Sequence, residues 1–365
     1  MRILPPDRSS KRARFADWLE LLALTSVRGQ TSLANLRGVL RFENDDRTPA
    51  SDLDGGSDDT GEPEITNQFA EDLEERVVEE LEFRASKIGS AYPFELVVDA
   101  GVYGGTLRCK TGHLDPREGR LFYVFCLLDS LIREKLITVP AEERGIVDRI
   151  GAIFQVCACL AVGGYLGVEV VSFGFPRATG DAFLPAFKRV WQRYGSFNVI
   201  NKIPHGFDDK LKDGGVDIVA WRHFRDRYAG TILMFVQVAS GLNWKDKPVA
   251  EDVRQIRKWF EGASFENFVP AICIPFPLWF DLPEPSRSPS GEVANFYDGV
   301  HARFLYREGK FGIIFDRGRI AQTCSQALMY DHELSPHIDG IGLIDDVEQW
   351  VREVMESLVE RRAAA

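Results

Sequence analysis

Hydrophobic and polar positions change period several times along the chain, and each change predicts an element. Residues 13–42 read as two helical stretches, RFADWLELLALTSV and SLANLRGVLRF, separated by a Gly-containing turn. Between 66 and 89, Phe69, Leu73, Val77, Leu81 and Phe83 form roughly one stripe of a longer helix. FELVVD at 94–99 reads as a strand before a Gly-rich turn. GRLFYVFCLLDSLIREKL at 119–136 and the run at 145–166 read as apolar helices.

From residue 167 the texture alters. EVVSFGFP is strand-like, and DAFLPAFKRVWQRYG is an amphipathic helix ending at Gly195. FNVINKI reads as a short strand. GGVDIVAW and TILMFVQVAS are strands joined by a charged turn. PVAEDVRQIRKWFEG is a helix and FVPAICIPF an apolar strand. From 181 to 276 the predicted order is therefore helix, strand, strand, strand, helix, strand. A proline-rich loop at 275–290 follows. A helix near 293–306, a strand pair around 311–324 and a C-terminal helix near 345–362 complete the chain.

This pattern divides 365 residues into three parts: a mainly helical N-terminal module (1–165), an α/β core (166–280) and a C-terminal α/β extension packing on the core (281–365). Within the first part, residues 43–65 are acidic and rich in Gly, Pro, Ser and Asp. They carry too few apolar side chains to offset ordering entropy, which predicts a mobile linker. Charge changes one inference. The total is −11, but residues 43–82 alone hold 16 Asp and Glu against Arg47 and Arg76. Residues 181–261 carry 14 Lys and Arg against 10 Asp and Glu, so an acidic whole does not exclude a polyanion partner for the core. The six cysteines form no C-x-x-C pair, as expected of reduced buried thiols. No run approaches 18 uncharged apolar residues, and no signal-peptide core follows the basic N-terminus. A cytoplasmic protein without a membrane span is expected.

The candidate chemistry lies in DGGVDIVAWRHFRDRYAGTILMFVQVASGLNWKDK, residues 213–247. Asp217, Val219 and Trp221 share one strand face, as do Phe235, Gln237 and Ala239 on the next strand. If the strands pair, an acid and an amide oxygen meet. Hydrolysing a phosphodiester at neutral pH calls for a divalent cation, Mg²⁺ or Mn²⁺, held by oxygen ligands. A lysine beside the attacking water stabilises developing charge. Gly214 and Gly215 would let a nucleic-acid backbone approach. Asp213 is a further candidate ligand, with a turn role before Gly-Gly as its alternative. Arg222, Arg225 and Arg227 in the intervening turn, and Trp244 after it, are candidate nucleic-acid contacts. An exposed hairpin and core packing, respectively, are their alternatives.

The residue set and element order resemble the restriction-endonuclease-like superfamily, with its Asp…(Asp/Glu)-x-Lys motif. The nearest likeness is to Mrr-type nucleases, whose second element often reads Gln-x-Lys. The resemblance covers about 181–276. Asp217 matches the motif aspartate and Gln237 the second position. Ala239 stands where the lysine belongs. Lys245 is the first candidate to replace it, with Lys247 close behind and Lys258 on the next helix a third. The superfamily often draws a further acid from the preceding helix, where Asp181 and Gln192 are available. Asp181 also reads as an N-cap, and Glu169 on the earlier strand is another candidate. The resemblance implies an α-β-β-β-α-β core with a mixed sheet and Mg²⁺-dependent cleavage of nucleic acid, DNA before RNA. It also implies a bacterial role in restriction or phage defence. The alternative is a catalytically inactive nuclease fold serving as a scaffold subunit, with a protein partner on the N-terminal module or a second copy of the chain.

Overall fold

The computed structural model describes residues 1–39, 62–98, 105–174, 180–195, 197–202, 214–224, 226, 231–262, 265–280, 282, 296–330 and 337–364. In chain order the strands are β1 (Arg2–Ile3), β2 (Gln30–Ser32), β3 (Phe94–Val98), β4 (Gly105–Cys109), β5 (Ile137–Thr138), β6 (Glu169–Ser172), β7 (Ile218–Arg222), β8 (Ile232–Val238), β9 (Val269–Cys273) and β10 (Ile313–Phe315). The helices are α1 (Arg12–Leu24), α2 (Glu62–Ile88), α3 (Arg120–Arg133), α4 (Arg144–Leu166), α5 (Phe183–Tyr194), α6 (Val249–Ile256), α7 (Phe296–Phe311), α8 (Arg317–Leu328) and α9 (Ile344–Ala364).

A mixed sheet of five strands, ordered β10-β9-β8-β7-β6, organises the α/β fold. β6, β7 and β8 run antiparallel, while β8, β9 and β10 run parallel. Strand alternation sorts the side chains into layers. Val170, Ile218, Ala220, Met234, Val236, Ala271 and Cys273 enter the large core with α1, α3, α4, α8 and α9. Val171, Val219, Trp221, Leu233 and Phe235 face the other way, onto α5 and Trp259. Ala239, Ile272 and Ile314 join Trp244 and Phe311 in a neighbouring cluster on that second face.

Several expectations change here. FNVINKI forms no strand of the sheet. Val199 makes one bridge to Phe260, and the backbone of Ile200 and Glu261 closes the same short pairing. The first strand of the antiparallel set is β6 instead, and α4 is the helix before it. α5 and residues 195–217 are inserted between β6 and β7. The strand pair near 311–324 is one short strand, β10, followed directly by α8, where Asp316 caps the helix by accepting the Arg319 N–H at 3.0 Å. Residues 43–61 of the acidic segment lie outside the described residues, and α2 begins at Glu62. The boundary near 165 does not divide the core. Phe15, Leu81, Phe122, Phe154, Val236, Cys324 and Trp350 belong to one cluster.

α4 is long and apolar enough to cross a bilayer by length and composition, and half of its apolar window is buried in the protein. It meets α8 at backbone distance: a Cβ on Gly164 would stand 1.8 Å from the Thr323 carbonyl oxygen. All six cysteines are free thiols, five of them buried.

A buried charge network holds the helices together. The Arg84 guanidinium on α2 donates to Asp17 (2.6 Å), Glu20 (2.8 Å) and Glu80 (2.7 Å). Arg317 of α8 grips both oxygens of Asp17 at 2.7 and 2.8 Å and donates to Ser130 at 2.6 Å. Tyr92 and Tyr123 donate to Glu20, while Trp279 and Tyr297 donate to Glu80. Burial raises Glu20. Burial also acts on Asp17, but Arg317 and Arg84 together hold it below the usual carboxylate range.

A second buried acid makes stability depend on pH. Asp129 is a buried residue of α3 with Arg133 of the same helix at 3.1 Å, and burial outweighs this partner, pushing the carboxyl up to about 7. Between the ordinary carboxylate value near 4 and about 7, the unfolded chain has released a proton that the native protein keeps. This group's contribution is therefore full below that window and lost as pH rises through it. Asp129→Asn is expected to remove a fall on the order of 2–4 kcal/mol between pH 4 and 8. Urea titrations across that range check it. Parallel pH profiles for variant and wild type would contradict it.

Candidate active site at the ends of β7 and β8

Asp217 stands one residue before β7. Ile218 pairs with Val236, so the same register sets Asp217 directly across from Gln237. The Asp217 N–H donates to the Val236 carbonyl at 2.9 Å, and one carboxylate oxygen, Oδ2, accepts the Val238 N–H at 2.7 Å. The side chain thus caps the ladder where it ends. Gln237 is 6 % exposed, and its amide oxygen Oε1 has no hydrogen-bond partner among the described residues. A buried carbonyl left this way forfeits about 1–3 kcal/mol, a cost usually offset by a ligand, water or ion.

α4 and β6 close the other side of Asp217. Gln155 of α4 donates through Nε2 to Ser172 Oγ at 2.6 Å and to the Asp217 carbonyl at 3.4 Å. Phe173 and Gly174 also donate their N–H groups to that carbonyl, at 2.6 and 2.8 Å. A Cβ on Gly174 would lie 2.6 Å from Asp217 Oδ1 and 2.7 Å from Gln155 Nε2, so only glycine lets this chain pass beside the carboxylate. The Ser172 N–H donates to Asp339 at 2.8 Å, and His337 bonds the other oxygen of Asp339 at 2.7 Å.

The glycines before Asp217 have a role other than the expected one. Gly214 and Gly215 both have positive φ, at 67° and 80°. A Cβ on Gly215 would stand 2.2 Å from the Asp252 carboxylate, so the close approach is made by α6 rather than left open for a nucleic-acid backbone.

The lysines separate. Ala239, at the motif lysine's place, is buried in the cluster of Ile272 and Trp244. Lys245 lies in a tight 3-10 turn, Leu242–Asp246, with its ammonium 5.3 Å from the Phe280 ring centroid and 6.0 Å from that of Trp244. Burial depresses its pKa, and so does nearby Arg307, while Asp246 opposes the shift. Its ammonium is thus set beside Phe280 and Trp244. Lys247 is half-buried at the turn into α6, and Lys258 is exposed.

The other candidates resolve as follows. Trp244 is fully buried against Phe311, which makes it core and not a contact surface. Arg222 is exposed at the end of β7 and donates to the Leu166 carbonyl at 3.3 Å. Arg225, Arg227 and Asp213 lie outside the described residues. Asp181 does not cap α5, whose first position follows Ala182. It pairs with Arg189. Glu169 pairs with Arg193 at 3.0 Å, and Gln192 is exposed on α5. Sequence reasoning missed Gln155, Ser172, Asp252 and Asp339. Gln155 alone left a signal, as a long polar side chain within the apolar run IFQVCACLAVGG.

Among the described residues no three of His, Cys, Asp and Glu gather to hold a metal ion. The register places the Asp217 carboxylate and the Gln237 carbonyl, which has no partner among the described residues, on opposite residues of one strand pair. This set fits a Mg²⁺ or Mn²⁺ ion that keeps water and phosphate oxygens as its remaining ligands. No protein-family model, no curated protein and no solved structure matches this chain.

Proposed function

We propose that the chain is a metal-dependent phosphodiesterase acting on nucleic acid, DNA before RNA, with a restriction-endonuclease-like core. The observation that carries this reading is the register that sets Asp217 opposite Gln237, whose buried carbonyl oxygen is unpartnered. The element order supports it: α4, three antiparallel strands β6–β8 with α5 inserted after β6, α6, then β9 parallel to β8 resemble the α-β-β-β-α-β sequence of that superfamily. Asp217 and Gln237 would hold the ion, which when bound polarises the phosphoryl oxygen and lowers the pKa of water. Gln155, bonded to the Asp217 carbonyl, keeps that acid in place. Lys247, rather than Lys245, is the lysine assigned to orienting the nucleophile. The Lys245 ammonium is already seated over Phe280.

Incubation of single- and double-stranded DNA and of RNA with the protein, in Mg²⁺ or Mn²⁺ and in EDTA, tests this. Metal-dependent cutting of DNA is expected, and no cutting of any substrate by folded protein would sink the reading. A second reading, a non-cleaving nuclease fold that serves as a scaffold subunit, draws on one observation: Ala239 and its apolar neighbours fill the place of the motif lysine.

A further inference from the structure

We infer that one face of α7, together with Lys245, is a strip that binds the phosphate backbone of single-stranded DNA. Arg303, Tyr306, Arg307 and Lys310 stand at i, i+3, i+4 and i+7 of the helix and so share one face. Arg307 lies over the Trp244 ring at 5.7 Å, beside Lys245, and Lys310 donates to the Lys245 carbonyl. The cations are thus gathered on one platform, and Trp244 and Phe311 anchor it beneath.

A charged helix face is usually only a solvated surface. Two features argue for more here. No carboxylate pairs with Arg303, Arg307 or Lys310 among the described residues, whereas Arg133, Arg149, Arg189, Arg193 and Arg352 each have an acid partner. The like charges also disfavour one another. Arg307 is lowered by burial and then by Arg303, and Lys245 by burial and then by Arg307. Two acids are near. Asp246 acts on Lys245, while Glu308 lies toward Arg319 and Gln322 on the other side of α7. Cations held together at this cost are relieved by an anion with repeated charge.

Geometry and exposure select the anion. At 1.5 Å per residue, Arg303 to Lys310 spans about 10 Å, long enough to meet more than one phosphate of a single strand. Tyr306 is 90 % exposed in the middle of the strip. A solvent-facing ring between phosphate-binding cations suits an unstacked base, which favours a single strand over a duplex. The strip names a substrate contact for the phosphodiesterase proposed above, and its binding does not require that activity.

Fluorescence anisotropy with a labelled single-stranded oligonucleotide, in EDTA across a KCl series, tests it on the full chain. The Arg303→Ala/Lys310→Ala variant removes two exposed cations, and thermal melting verifies that it folds. Its log K against log salt slope is expected to be shallower than wild type by about 1.4, at about 0.7 per contact. Tyr306→Ala is expected to weaken binding about tenfold with the slope unchanged. Arg303→Glu should weaken binding more than Arg303→Ala. Unchanged affinity and slope in the double variant would overturn the strip. So would equal competition by polyglutamate of matched charge, or binding to anionic vesicles in place of DNA. DNA binding by the strip without metal-dependent cutting would keep this inference and remove the phosphodiesterase. Cutting with an unaltered slope would do the reverse.

Discussion

Arg84→Leu is expected to cost about 3–5 kcal/mol of folding stability. Arg84 is fully buried and is the only group that touches Asp17, Glu20 and Glu80 together among the described residues. Its loss would leave three acids in the interior with Arg317 as the remaining guanidinium of the network, and Arg317 reaches Asp17 and, at 4.0 Å, Glu20. Among the described residues, Glu80 would keep the neutral donors Trp279 and Tyr297. Removing one partner of a buried pair strands charge in a medium that cannot solvate it, which is why the effect exceeds that of an ordinary surface pair. Arg84→Lys should recover part of the loss, because an ammonium restores the charge but not the planar fork. Urea denaturation of wild type, Arg84→Leu and Arg84→Lys measures this. A leucine variant within 1 kcal/mol of wild type would show that the network contributes little.

Much of the central sheet was legible because its strands alternate. GGVDIVAW and TILMFVQVAS pair as their periodicity requires, and the apolar FVPAICIPF joins as a parallel strand. The helix that precedes the sheet's first strand was harder to assign for a physical reason. α5 carries a clear amphipathic stripe, whereas α4 is apolar on most sides, and a helix buried all round gives no direction to its partner. Assigning α4 to a separate N-terminal module followed from that silence, and Gln155 was lost with it. The charge network was hidden differently. Asp17 and Glu20 interrupt the apolar run of α1, which marks them as odd, but their partners Arg84 and Arg317 are 67 and 300 residues from Asp17.

The site was half legible. Which residues share a strand face followed from sequence, while the register that sets Asp217 opposite Gln237 is supplied by the fold. The fate of the lysines depended on the turn after β8. Trp244 buries itself there and carries Lys245 away toward Phe280. The spacing of Arg303, Tyr306, Arg307 and Lys310 is present in the sequence, yet its meaning depends on which acids the fold brings alongside.

Asp217→Asn is expected to reduce metal-dependent cleavage by roughly 100-fold or more, by analogy with the loss of one preorganised electrostatic group. The substitution is chosen to separate two roles. An asparagine carbonyl can still accept the Val238 N–H that Asp217 accepts at 2.7 Å, so the end of the ladder keeps its cap. The negative charge is lost and one carboxylate oxygen becomes an amide NH2, and with them goes the group best suited to a divalent cation. Melting temperatures of variant and wild type should therefore agree while activities differ. The decisive comparison is the initial rate of single-stranded DNA cleavage in Mn²⁺ by wild type and Asp217→Asn at equal folded concentration. Cutting by wild type, abolished by EDTA and lost in the variant, is the expected result. Equal cutting by both proteins, or none by either, would contradict a metal-dependent centre at Asp217.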